Sequence, residues 1–185
     1  MKDINIYIVR HGEASISWGG PSDPGLSPEG KSQAKKVASK LAKLNSDRLQ
    51  IISSPRKRAI ETAESLGNIL KKPIKIKLEF NEIPSHKAKQ KSLWLKRVAI
   101  TPPLRLPNYL ILWQKEILQN LLTLEQDTII FSHFMVMNAI YAKLHKTRQL
   151  VSIQPAYTSQ MHLIKKNNDL IFISLSNENT SKIIV

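Results

Sequence analysis

Apolar residues in this chain come either in short unbroken runs or in longer stretches that repeat every three or four positions. The first run lies in residues 4–13, INIYIVRHGE, where Ile4, Ile6, Tyr7, Ile8 and Val9 are β-branched or aromatic. Near-continuous apolarity of that length suits a strand buried on both faces of a mostly parallel sheet. Residues 49–53 (LQIIS) and 127–132 (DTIIFS) repeat the pattern, whereas residues 74–78 alternate isoleucine or leucine with lysine, the period of a half-exposed strand near a sheet edge. Helical spacing relates Ala34, Val37, Ala38, Leu41 and Leu44, then Ala59, Thr62, Ala63, Leu66 and Leu70, then Leu110, Trp113, Ile117, Leu118, Leu121 and Leu122. Ser27 reads as the N-cap of the first helix with Pro28 at its first position, and Pro55 is expected to open the second. A short helix is predicted around 92–98, and another after residue 133. Residues 159–165 and 170–175 read as a closing hairpin around Asn167-Asn168-Asp169. Strands alternating with helices predict an α/β fold with a mostly parallel sheet.

A length of 185 residues fits one domain, and 42% hydrophobic with 23% charged residues is the balance of a globular protein. No run of about 18 apolar residues suggests a membrane span, and Asp3 followed at once by a strand does not read as a leader peptide, so a cytoplasmic location is expected. Without cysteine the chain has no disulfide and no thiolate chemistry. A net charge of +14 raises the possibility of nucleic-acid binding. Most of the excess is lysine spread along the chain and only 6% of residues are aromatic, so specific nucleic-acid binding is not expected. The positive field would equally draw a phosphorylated small molecule toward a basic cleft.

The chemistry-bearing residues fall where the predicted elements end. Arg10 and His11 follow the first strand, and ligands of parallel sheets bind beyond the carboxyl ends of their strands. Arg58 falls at the start of the second helix, where free amides and the helix dipole already favour an anion. His133 follows the DTIIFS strand. Glu82, in the segment EFNEIPS, is the preferred acid, with Glu79 its nearest competitor. Ser15, Ser17 and Trp18, in the loop after the first strand, are pocket or linker residues. Lys87, Lys89, Lys91, Arg97 and Arg105 are solvent-facing or assist an anion's entry, and Arg56 and Lys57 read as a solvated basic face. His86, His145 and His162 read as loop or structural residues.

RHGE after the first strand, LSPEGKSQA at the next helix, SSPRKRAIETA, NEIPS and SHF together resemble the histidine phosphatase superfamily, in the branch that includes the cofactor-dependent phosphoglycerate mutases. The resemblance covers most of residues 4–145. It departs at Phe134 and Met135, which stand where two glycines are usual. It implies a three-layer α/β/α sandwich of phosphoglycerate mutase type in one domain over residues 1–185, with a small cap around 84–108. It implies a phosphomonoesterase acting on a small phosphorylated metabolite: His11 becomes phosphorylated, Arg10, Arg58 and His133 hold the phosphoryl oxygens, and Glu82 protonates the leaving oxygen. Other members of the resemblance are mutases, generally longer, and small protein phosphohistidine phosphatases, which typically lack the acid. A non-catalytic phospholigand or nucleic-acid binder is the reading from another class. Substrate identity and oligomeric state stay open. No cofactor and no metal is expected, because arginines supply the cationic charge. Activity is therefore expected to survive a strong chelator; loss with EDTA and recovery with Mg²⁺ or Mn²⁺ in a phosphate-release assay would contradict this.

Overall fold

The computed structural model describes residues 3–15, 23–44, 48–85 and 90–176. Its strands are β1 (Ile4–Arg10), β2 (Gln50–Ser53), β3 (Ile74–Ile76), β4 (Thr128–Ser132), β5 (Gln160–Lys166) and β6 (Asp169–Leu175). Its helices are α1 (Pro28–Leu41), α2 (Lys57–Leu70), α3 (Lys91–Ile100), α4 (Asn108–Leu122) and α5 (Phe134–His145). The strands form one sheet in the order β3-β2-β4-β1-β5-β6. The first four strands in that order run parallel, and the β5–β6 hairpin closes the sheet antiparallel to β1.

Alternation along the strands explains why the sheet is covered on both sides. Ile6 and Ile8 of β1, Ile52 of β2 and Ile130 of β4 join one core with Leu110, Trp113, Ile117 and Leu121 of α4 and Val136 and Ile140 of α5. Val9, Ile51, Ile129 and Phe131 point the other way and pack against Val37, Ala38 and Leu41 of α1 and Ala63 and Leu66 of α2. The result is the expected three-layer α/β/α sandwich. Each fully buried Ile or Leu side chain contributes about 1.5–3 kcal/mol of transfer free energy, so the central strands need no polar partner on either face.

Local chemistry explains most of the element ends. Ser27 accepts a hydrogen bond from the Gly30 amide at 2.9 Å, capping α1 as expected. Asn167 and Asn168 adopt φ of 47° and 66°, the pair of left-handed residues that a two-residue hairpin turn requires. Two expectations are corrected. Leu44 is 40% exposed, because α1 gives way at Ala42 to a tighter helical turn that rotates it off the buried face. The second helix starts at Lys57 and not at Pro55: the Asp23 carboxylate accepts the Lys57 amide at 2.9 Å, and Arg56 stays extended as the N-cap. Among the described residues no helix is long and apolar enough to cross a membrane.

The turn after β1 is pressed backbone to backbone against α1, and the Gln33 side chain and the Ser27 hydroxyl also bind Glu13. A Cβ on Gly12 would lie 2.6 Å from the Gly30 carbonyl oxygen, and one on Gly30 would collide with the Glu13 carbonyl. Both obstacles are main chain and cannot swing away. Gly30→Ala is expected to lower stability by about 1–3 kcal/mol in urea titrations through overpacking, and to reduce activity because the turn carrying His11 must shift.

Candidate active site

The register of the sheet brings the two histidines together. Arg10 of β1 pairs with Ser132 of β4, so the next residue of each strand, His11 and His133, emerges at the same carboxyl edge. The His11 amide continues the ladder onto the Ser132 carbonyl at 3.0 Å, and the two imidazoles meet edge to face with centroids 5.3 Å apart. Both residues are buried.

Hydrogen bonding assigns the proton on each ring. The Gly12 carbonyl can only accept, so the 2.6 Å contact means that His11 Nδ1 carries the hydrogen and Nε2 keeps its lone pair. Arg58 Nε donates to that lone pair at 3.0 Å. On His133, Arg58 Nη2 approaches Nδ1 at 3.3 Å, so Nε2 donates to Ser54 Oγ at 2.6 Å. Burial, and next the Arg58 guanidinium, lower the His11 pKa well below 6.5. Burial first, then His11 and Arg58, do the same to His133. Both rings are therefore held neutral.

Arg58 stands at the centre of this group. Besides the histidines it faces Glu82, with Nη2 to Oε2 at 3.8 Å, and Asp23, with Nη1 to Oδ1 at 3.6 Å. The Thr62 hydroxyl binds the Arg58 carbonyl at 2.6 Å and accepts the Gly12 amide at 3.1 Å, tying α2 to the turn after β1. Glu82 arrives from the segment between β3 and α3, which the Ser132 hydroxyl anchors by donating to the Phe80 carbonyl at 2.8 Å. Its Oε2 lies 3.7 Å from His133 Nδ1. Burial raises the Glu82 pKa above its ordinary 4.5, against the lowering effect of Arg58. Glu79, by contrast, lies on the preceding turn and makes none of these contacts.

Arg10 enters from the other side. Its Nη1 donates to the Pro155 carbonyl at 2.8 Å, and its guanidinium carbon lies 4.1 Å from the centre of the Tyr157 ring and 5.2 Å from that of Phe134. The Tyr157 ring is itself 6.0 Å from that of His11. Phe134 thus supports Arg10 where a glycine would not, and Met135 is buried in the core.

All five residues singled out in the sequence, Arg10, His11, Arg58, Glu82 and His133, therefore converge. Arg56 is corrected: it is half-buried, and its Nε donates to Asn81 Oδ1 at 2.9 Å, so it is not simply a solvated charge. Ser15 is exposed, as are Lys91, Arg97 and Arg105, while Ser17, Trp18, His86, Lys87 and Lys89 lie outside the described residues. His162 stacks on Tyr7 and bonds Asn5, and His145 stacks on Tyr141, both as structural residues. Sequence reasoning missed Asp23, Ser54 and Tyr157. Asp23 lies only four residues before the Ser27 cap, but no local pattern marks it as a partner of Arg58, and nothing local marks Tyr157.

Two histidines and two arginines are thus gathered at the carboxyl edge of the parallel strands. Residues 6–93, which hold four of the five converging residues, match the model of the histidine phosphatase superfamily (branch 1). Over 65 residues the chain is 43% identical to human 6-phosphofructo-2-kinase/fructose-2,6-bisphosphatase 4 and 38% identical to isoform 1 from Rattus norvegicus. Each match covers 34% of this chain and only 14% of the relative, so the chain corresponds to a small part of those proteins. In fold it is similar to a phosphoserine phosphatase from Entamoeba histolytica (TM-score 0.73, 19% identity, 93% of this chain and 96% of that one). It is also similar to a mycobacterial glucosyl-3-phosphoglycerate phosphatase (TM-score 0.71, 19% identity, 97% and 100%).

The depressed histidine pKa values carry a stability consequence. Between pH 6.5 and the lower folded-state values the unfolded chain binds more protons than the folded one, so stability falls as pH drops below about 6.5. Glu82 has the opposite sign, since its raised pKa favours the folded state on acidification through the range just above 4.5. Replacing His133 by Gln is expected to remove up to one proton from this uptake, flattening the dependence of urea stability on pH by at most about 1.4 kcal/mol per pH unit. An unchanged slope would show that His133 is not held neutral.

Proposed function

We propose that the protein is a phosphomonoester hydrolase that works through a phosphohistidine on a small phosphorylated metabolite. The observation that carries this reading is the state of His11: its Nδ1 hydrogen is committed to the Gly12 carbonyl, and its Nε2 lone pair lies among guanidinium groups. A neutral imidazole is a competent nucleophile toward phosphorus, and the surrounding arginines select a phosphate as its target.

In this reading a phosphate oxygen takes over the Arg58 Nε–H bond, which frees Nε2 to attack. Arg10 and Arg58 hold the equatorial oxygens, His133 joins them through Nδ1 once its single proton moves there from Nε2, with Ser54 Oγ then donating to Nε2, and the chemistry is largely positioning and charge stabilisation. As the N–P bond forms and the P–O bond breaks, the Glu82 proton passes to the leaving oxygen. Glu82, now a carboxylate, takes a proton from the water that attacks the phosphohistidine; inorganic phosphate leaves and His11 returns neutral. The burial that raises the Glu82 pKa supports its starting the cycle protonated. The described residues between 84 and 108, with Val98 and Ala99 of α3 packed into the core, serve in this reading as part of a small cap.

The reading is tested by leaving-group dependence. Glu82→Gln is expected to slow alkyl phosphates about 10²-fold or more while p-nitrophenyl phosphate, with its stable leaving group, loses much less. The wild type should form acid-labile, alkali-stable phosphate at residue 11. Equal slowing of both esters would make Glu82 a binding residue. No slowing, with phosphohistidine as the preferred substrate, would favour a protein phosphohistidine phosphatase, and transfer to a second hydroxyl in place of water would favour a mutase.

A further inference from the structure

Arg56 stands in the middle of SSPRKRA and takes no part in the proposed phosphoryl chemistry. Yet two short chains of hydrogen bonds connect it to the reacting groups. Its Nε donates to Asn81 Oδ1 at 2.9 Å, and that same oxygen accepts the amide of Glu82 at 2.8 Å. Its backbone amide donates to Ser54 Oγ at 3.3 Å, the oxygen that also receives His133 Nε2. The head group is thus anchored through one nitrogen beside the proposed acid, and its charge is among those that lower the pKa of His133 and of Glu82.

What the guanidinium lacks is a counterion. Arg58 has two carboxylates, Glu82 and Asp23, whereas among the described residues no carboxylate pairs with Arg56 and no acceptor engages its two terminal nitrogens. Among the described residues Arg10, the other arginine of the proposed phosphate site, likewise has no carboxylate within ion-pair distance. An arginine fixed at Nε and open at both Nη positions presents the fork that grips a carboxylate or phosphate through two parallel hydrogen bonds.

We propose that Arg56 is a second anion subsite on the leaving-group side, selecting phosphomonoesters whose alcohol carries a further anionic group, a carboxylate or a second phosphate, close to the ester oxygen. The proposal rests on the hydrolase reading for its orientation: Glu82 must face the leaving oxygen, and Arg56 is linked to Glu82 through Asn81. A neutral alcohol would leave this arginine without a partner. An anionic one would neutralise it and gain a charge-assisted pair.

The test compares 2-phosphoglycolate with ethyl phosphate, which differ in the second anion. Arg56→Gln is expected to lower kcat/KM for phosphoglycolate about tenfold or more, mainly through KM, while ethyl phosphate changes less than about threefold, and Arg56→Lys should recover part of the loss. Calorimetric binding of both esters on a His11→Ala background, where neither is turned over, should show the same preference for phosphoglycolate and its loss with Arg56→Gln. Equal weakening of both esters, or of neither, overturns the subsite. If the wild type hydrolyses no ester but the binding difference persists, the hydrolase reading fails and the anion subsite stands.

Discussion

The interaction on which the rest of the site depends is a buried guanidinium shared among four side chains. Arg58 touches His11, His133, Glu82 and Asp23 at once, and each belongs to a different part of the chain. A buried cation is costly unless its donors are satisfied, so the turn after β1, the edge of β4, the segment before α3 and the loop before α1 must all converge on it. That requirement fixes their relative positions more tightly than apolar packing would. It also bears on protonation: burial first, and then a cation this close, lower the pKa of both imidazoles, and the same cation opposes, without overcoming, the burial that raises the pKa of Glu82.

Arg10 is positioned on a different principle. Among the described residues no carboxylate lies within ion-pair distance of it, and the Pro155 carbonyl and the face of Tyr157 fix its plane. The loop that supplies both is clamped by main-chain bonds, Arg10 amide to Ser159 carbonyl at 3.0 Å and Thr158 amide to Arg10 carbonyl at 3.1 Å. Thr158 holds φ of 60° there, a conformation β-branched residues rarely adopt. Arg58 is thus held by charge and Arg10 by shape. Both arrangements fix a guanidinium before any ligand is bound, which is the preorganisation that the proposed electrostatic catalysis would need.

Phe134 illustrates how a departure from a family pattern can be absorbed. Where two glycines would allow close backbone approach, this chain puts an aromatic ring beneath the Arg10 guanidinium and a methionine into the core. The cation keeps a supporting surface, so the substitution changes the means of support and leaves the arginine in place.

By itself the sequence determined the elements and the residues that end them. Continuous apolar runs can only be satisfied by burial on both faces, which dictates central strands with helices on either side, and the Arg-His and Ser-His pairs at the ends of two such runs place both histidines at the carboxyl edge. Arg58 and Glu82 were legible through short motifs. What only the tertiary structure decided is pairing between segments distant in sequence. Asp23 lies 35 residues before Arg58, and Tyr157 lies 147 after Arg10; no periodicity relates such positions, because their contact depends on strand order and loop course. Arg56 shows the same limit most clearly. Its neighbours in the chain are those of an exposed basic turn, and it meets Asn81 only because β4 holds the Phe80–Glu82 segment beside it.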